Sequence, residues 1–261
     1  MSCTPSAREY GYGYNAANRM ESMSLSGVVQ AEYEYNALGQ QVIRTLTQAG
    51  QTIHSLHDLD GNRIAEYDYD DVAGTSSLIR EYVWMNGQVV AVIEGGAVYY
   101  VRTDHIGRPV FATDGAGTKV WEASYLPFGG VHTSSGSNID LRFPGQWFQS
   151  EAGLHQNWMR DYDPTLGRYI QADPLGLVDG ASIHGYVRQN PGRYVDPRGE
   201  SLVAGAVIGG VIGGVAAYNN NPECIGNIVI GVAAGAAVGA VGGVLKPAYA
   251  AGAGAGAAAA G

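Results

Sequence analysis

Lysine is almost missing from this sequence: Lys119 and Lys246 are the two in 261 residues. Charged residues of all kinds make up 15%, and acids outnumber bases 24 to 15, for a net charge of −9. A chain this short of positive charge does not present a phosphate-binding surface, so nucleic acid is excluded as a main partner. Cysteine is nearly as scarce. Cys3 and Cys224 lie far apart in unlike regions and offer neither a disulfide framework nor metal spacing. The six histidines (54, 57, 105, 132, 155 and 184) are scattered without a convergent ligand pattern, so no metal is expected. No G-x-G-x-x-G or phosphate loop follows a strand, and no nucleotide or other cofactor is expected. Ser134 and Ser135 near His132 lack an activating third group. The start, MSCTPSAREYGYGYN, has no charged lead followed by an apolar run, so it is not a secretory signal. It opens in mid-repeat, and the expectation is that the chain is the C-terminal piece of something longer.

What is plentiful is glycine (39) and tyrosine (17), a composition that suits β-structure with many turns. Over residues 1–130 a repeat is visible. Tyr12-Gly-Tyr14-Asn15 recurs 21 positions later as Tyr33-Glu-Tyr35-Asn36, and the turns after Asn15 and Asn36 resemble Asp58-Leu-Asp60-Gly61-Asn62-Arg63 and Asp104-His105-Ile106-Gly107-Arg108. A period near 20 residues signals stacked β-units. The clearest hairpins lie between Arg80 and Arg102. Asn86-Gly87 predicts a type I′ turn between Tyr82–Met85 and Gln88–Ile93, and Glu94-Gly-Gly-Ala97 turns the chain again into Val98–Val101.

Residues 131–200 have a different texture. Asp163-Pro164, Asp173-Pro174 and Asp196-Pro197 are each followed within a few residues by glycine (Gly167, Gly176, Gly199), and Asn190-Pro191-Gly192 adds a fourth corner. Asp before Pro initiates turns, and Gly supplies the positive φ that closes them. Tyr162, Tyr169, Ile170, Tyr186, Val187, Tyr194 and Val195 lie between the corners and predict short strands; a helix does not survive this density of Pro and Gly.

Four segments carry a family resemblance: FPGQ at 143–146, GLH at 153–155, RDYDPTLGRYIQADPLGL at 160–177, and YVRQNPGRYVDPRG at 186–199. In order, spacing and turn chemistry they resemble the core of the Rhs (rearrangement hotspot) proteins, a family of polymorphic toxins, and the repeat upstream resembles their YD repeat. The resemblance covers roughly residues 10 to 200. It implies a mainly β protein, a YD-repeat shell of stacked antiparallel hairpins over 1–130, and an Rhs-associated core over 131–200.

The resemblance also implies chemistry. Rhs proteins, and the related C components of insecticidal toxin complexes, cut their own chain with an Arg and two Asp residues. Carried onto this sequence these are Arg160, Asp173 and Asp196, with the cut at Glu200-Ser201. Two close carboxylates cannot both ionise freely; one keeps a proton to assist the amide while the other activates water. The competing reading is that Asp173 and Asp196 only form Asx turns before proline. One departure stands out: cleaving members carry Leu or Met where this chain has Glu200. Asp163 is expected to be a turn residue.

From Ser201 to Gly261 only Glu223 and Lys246 are charged. Glycines recur at 205, 209 and 213, and again at 231, 235, 239 and 243, the small-xxx-small pattern that lets helices approach closely in a membrane. As helices, 202–218 span about 25 Å and 225–245 about 31 Å, joined at the turn Asn219–Pro222 as a hairpin. Glycine opposes helix in water, and the stretch from Ala250 is low-complexity. Three readings stay open for 201–261: a membrane-inserting toxin segment, a hydrophobic region preceding a toxin, and an inactive tail. No deaminase motif of the H-x-E and P-C-x-x-C type is present. The expected protein is an exported, secreted or cell-surface-associated Rhs-like toxin part whose shell shields its own C-terminal cargo. Its expected partners are that cargo, a target membrane, an immunity protein and a secretion-system adaptor. The alternatives are a non-enzymatic YD-repeat adhesion protein and an inactive remnant.

Overall fold

A computed structural model describes residues 9–136, 139–177, 180–200 and 203–204. Twelve strands run in chain order, each hydrogen-bonded antiparallel to the next: β1 (Tyr10–Tyr14), β2 (Met20–Leu25), β3 (Val28–Tyr35), β4 (Gln41–Leu46), β5 (Gln51–His57), β6 (Arg63–Asp70), β7 (Thr75–Met85), β8 (Gln88–Glu94), β9 (Ala97–Thr103), β10 (Pro109–Thr113), β11 (Lys119–Tyr125) and β12 (Val131–Gly136). The predicted hairpins between 80 and 102 are β7, β8 and β9, and Asn86 and Gly87 both have positive φ (51° and 72°), as a type I′ turn requires. The expected stacked-hairpin, mainly β architecture is therefore present. The predicted helical hairpin beyond residue 204 lies outside the described residues. Among the described residues no helix is long and apolar enough to cross a membrane.

A meander places every odd-to-even turn at the same end of the sheet, and there the sequence repeat has its structural meaning. In the turns opened by Asn15, Asn36, Asp58 and Asp104, the side-chain oxygen Oδ1 accepts the N–H groups two and four residues on. The fourth residue (Asn18, Gly39, Gly61, Gly107) takes positive φ and donates its N–H to the carbonyl of the first. A short side chain that can stand in for a backbone acceptor is needed at the first position, and a residue tolerant of φ > 0 at the fourth. Asp114 opens a fifth turn of the same kind, at the opposite end of the sheet between β10 and β11.

A second, four-stranded sheet follows: β13 (Trp147–Gln149), β14 (Leu154–Asn157), β15 (Arg160–Asp163) and β16 (Arg168–Tyr169). Apolar residues of this sheet and of the segments flanking its strands fill two cores with the first sheet. Ile139, Leu141 and Trp147 pack among Tyr82, Val89, Val92, Val101 and Trp121. Ala152 and Leu154 pack among Met20, Met23, Ala31 and Tyr33. Two buried ion pairs are Arg44 with Glu151 (2.9 Å) and Arg63 with Glu66 (3.0 Å). The core segment also seats on the turn end of the meander. Trp158 lies where a side chain on Gly61 would be and donates from Nε1 to the Leu38 carbonyl. Phe143 occupies the same place beside Gly129, and Tyr162 donates to the Phe128 carbonyl at 2.8 Å. Gly61 and Gly129 are thus required twice over, for φ and for close approach.

Candidate functional site at the Arg160 cluster

β15 carries Arg160 inward at its first position, and the Asp-Pro corners bring acids to it. Arg160 Nη1 lies 2.8 Å from Asp173 Oδ2, and Nη2 lies 3.1 Å from Asp196 Oδ2. The three side chains are 2%, 5% and 4% exposed. All three residues predicted from sequence therefore meet at one buried point, though 36 residues separate Arg160 from Asp196. The guanidinium contacts both carboxylates through separate nitrogens.

Asp173 also makes the expected Asx turn, whereas Asp196 reaches an N–H four residues on. Asp173 Oδ1 accepts the Leu175 N–H at 2.8 Å, and Asp196 Oδ1 accepts the Glu200 N–H at 3.1 Å. Asp163 serves its turn alone, accepting the N–H groups of Thr165 and Leu166.

The cluster also holds a particular peptide unit. Arg160 Nε donates to the Gly199 carbonyl oxygen at 2.5 Å, while the N–H on the other side of the same peptide, that of Glu200, is bound by Asp196. Gly199 fits because its Cα lies against the main chain of β14: an added Cβ would stand 2.3 Å from the Asn157 oxygen, and φ is +63°. Gly145 receives Pro197 in the same way, a Cβ there lying 2.0 Å from the Pro197 oxygen. Of the expected cut Glu200-Ser201, Glu200 is placed here and Ser201 lies outside the described residues.

Two groups that sequence reasoning missed belong to this region. Tyr169 is 1% exposed, its ring lies 3.7 Å from the Arg160 guanidinium carbon, and its hydroxyl donates to Asp196 Oδ2 at 2.9 Å. Burial, with the Asp196 charge beside it, pushes its phenol well above the usual range. Asp161, the next residue after Arg160, points to the other face of β15 by strand alternation. Burial raises its carboxyl to about 6. Oδ2 accepts from Gln171 Nε2 at 2.6 Å, and the buried Oδ1 has no hydrogen-bond partner. The signal available in sequence was an acid directly beside the arginine of the RDYD run. Among the described residues no group of three or more His, Cys, Asp and Glu side chains could hold a metal. Of the histidines, His155 is buried against Gln146 with its imidazole pushed down by desolvation, and His54 stacks on Tyr69.

An antiparallel meander with repeated Asx turns, closed at its turn end by an Asp-Pro-rich segment, defines a YD-repeat protein. The Teneurin YD-shell family model matches residues 9–181, and the chain belongs to this Rhs/YD-repeat family. It is 28% identical over 217 residues to Double-stranded DNA deaminase toxin A of Burkholderia cenocepacia (72% of this chain, 15% of that protein). It is 30% identical over 198 residues to the Probable deoxyribonuclease RhsA of Dickeya dadantii (72% of this chain, 13% of that protein). Among solved structures, a chain of the Photorhabdus luminescens Tc holotoxin pore shares the fold at a TM-score of 0.60 and 20% identity, over 73% of this chain and 10% of that one. The chain thus spans 15% or less of each of these proteins.

Proposed function

We propose that this chain is the terminal part of an Rhs-type toxin shell that cuts its own backbone at Glu200-Ser201 and so frees the apolar, glycine-rich segment beyond. The observation that carries this reading is the grip on the Gly199–Glu200 peptide by Arg160 and Asp196, with Asp173 on the same guanidinium. The grip anchors that peptide. A donor on its carbonyl oxygen and an acceptor on its N–H both favour the charge-separated amide form, which strengthens the C–N bond they flank. The next peptide bond in the sequence is Glu200-Ser201. Water adds its oxygen to the Glu200 carbonyl carbon, the bond to the Ser201 nitrogen breaks, and a cluster carboxylate takes the proton of the water and returns it to that nitrogen. Glu200 ends as a new carboxylate and Ser201 as a new amine. The clamp contacts residue 200 through its N–H, so the Glu in place of Leu or Met does not disturb the clamp's hydrogen bonds.

In this reading the freed segment is the cargo, exported with its shell and met by an immunity protein. Its glycine spacing favours insertion into a membrane over a soluble activity. Shielding has a physical motive, because an apolar run of this length aggregates when exposed.

Intact mass of the purified chain beside an Asp196→Asn variant tests the proposal. A native chain split at Glu200-Ser201 with the variant whole supports it. A native chain that folds and keeps full mass overturns self-cleavage and leaves the cluster as the structural anchor of a non-enzymatic YD-repeat protein.

A further inference from the structure

Three tyrosines, Tyr162, Tyr169 and Tyr186, are each 1% exposed or less and pack ring against ring beside the Arg160 cluster. Their hydroxyls do different things. Tyr162 donates to a turn carbonyl at Phe128, and Tyr186 lies beside the main chain of Asp196. Tyr169 addresses the Asp196 carboxylate itself. Its hydroxyl accepts from Asn157 Nδ2 at 2.6 Å and donates to Asp196 Oδ2 at 2.9 Å. The same Asn157 Nδ2 also donates to the Asp196 main-chain carbonyl at 2.9 Å. One amide group thus fixes both the backbone of residue 196 and the hydroxyl that addresses its side chain.

We infer that Tyr169, oriented by Asn157, is a positioning residue for self-cleavage: it fixes the Asp196 carboxylate so that Oδ1 holds the Glu200 N–H while Oδ2 faces Arg160. This rests on the self-cleavage reading given above. A carboxylate is free to turn about its χ2 axis, since that torsion is broad. Arg160 alone does not stop the rotation, because either oxygen serves a guanidinium. A second donor arriving from a different element breaks that equivalence. Arg160 comes from β15, Tyr169 from β16, and the Glu200 N–H from the segment being held. The charged and titratable groups around Asp196 are Arg160, Tyr169, Tyr186 and, on the same guanidinium, Asp173. Stacking of Arg160 on the Tyr169 ring couples the two donors, so a shift of one moves the other.

The test removes one side-chain polar group at a time. Tyr169→Phe, Tyr162→Phe and Asn157→Ala are made in the full chain by cell-free synthesis. Two readouts are followed: the rate of appearance of the cut product between pH 5.5 and 8, and hydrogen exchange of the Glu200 amide. A hydrogen bond to a charged group is worth enough to change the rate by about tenfold or more. Tyr169→Phe is therefore expected to slow cutting by that factor, to make it fail at a higher pH on acidification, and to release the Glu200 amide to exchange. Asn157→Ala moves both readouts in the same direction, and serves in its place if Tyr169→Phe does not fold. Tyr162→Phe leaves both readouts at the native value. Unchanged exchange in Tyr169→Phe overturns the inference whether or not the chain cuts itself. Changed exchange with an unchanged rate and pH profile also overturns it, as does an equal effect of Tyr162→Phe. A native chain that never cuts defeats the self-cleavage reading, and the positioning role with it; a Glu200 amide still freed by Tyr169→Phe then shows the clamp to be structural only.

Discussion

Arg160 Nε and the carbonyl oxygen of Gly199 are 2.5 Å apart, although 39 residues separate them in the chain. The arginine that binds both buried acids thus also binds the main chain of the segment leading to the junction. Replacing it by lysine keeps a charge but loses the planar fork that reaches three oxygens at once. Arg160→Lys is expected to abolish self-cleavage and to destabilise the fold by about 3 kcal/mol, the scale of leaving a buried carboxylate unpaired. Mass spectrometry and a urea melt read the two effects.

The two close approaches of backbone to the Asp196–Glu200 corner give a steric test. Gly199→Ala and Gly145→Ala each place a carbon within 2.3 Å of a main-chain oxygen, with φ in the positive range as well. Both are expected to undock the corner and stop cleavage while the meander stays folded. Gly87→Ala, at a turn whose surroundings are open, bears only the φ cost of about 1 kcal/mol and leaves cleavage intact. Loss of cleavage in all three would remove the steric explanation.

Asp161 and His155 predict opposite pH dependences. The Asp161 carboxyl, raised by burial to about 6, binds its proton more tightly folded than unfolded. Stability from this group is present in full below the unfolded value of about 4 and is lost as pH rises to 6. Asp161→Asn is expected to raise stability above pH 6 by on the order of 2 kcal/mol and to make no gain at pH 4. His155, pushed well below its ordinary value by desolvation, has the other sign: stability is full above about 6.5 and falls on acidification, because the unfolded imidazole takes the proton first. Urea melts of the native chain and both Asp161→Asn and His155→Gln at pH 4 to 8 separate the two slopes.

The segment released by the proposed cut is expected to permeabilise anionic lipid vesicles, measured as dye leakage, and the uncut Asp196→Asn chain is expected not to. Leakage by both proteins alike would detach membrane activity from processing.

Much of the fold was legible in the residues. Asn86-Gly87 announced its hairpin through a dipeptide that readily takes positive φ twice, and the Asn15, Asn36, Asp58 and Asp104 turns were visible as repeats because one side-chain oxygen replaces a backbone acceptor in each. Asp114 opens the same turn but escaped, because it follows Asp104 by ten residues and belongs to the other end of the sheet. The trio Arg160, Asp173 and Asp196 came from resemblance, and geometry brings it together. The held peptide was not legible, since main-chain donors and acceptors look alike in every sequence. Tyr169 was hidden for a similar reason. Among seventeen tyrosines, a strand-filling ring and a hydroxyl aimed at a carboxylate carry the same letter.

The seating of the core on the turn end has a kinetic consequence. Hairpin contacts in the meander are local and form early, on a scale of microseconds. Contacts such as Trp158 with Leu38 and Arg19 with Met159 close loops of 120 and 140 residues, and loop-closure entropy makes them late. β15, with Arg160 at its head, begins one residue after Met159. The clamp therefore becomes complete only when the preceding strands are in place, and its formation acts as a checkpoint on the assembly of the wall it closes.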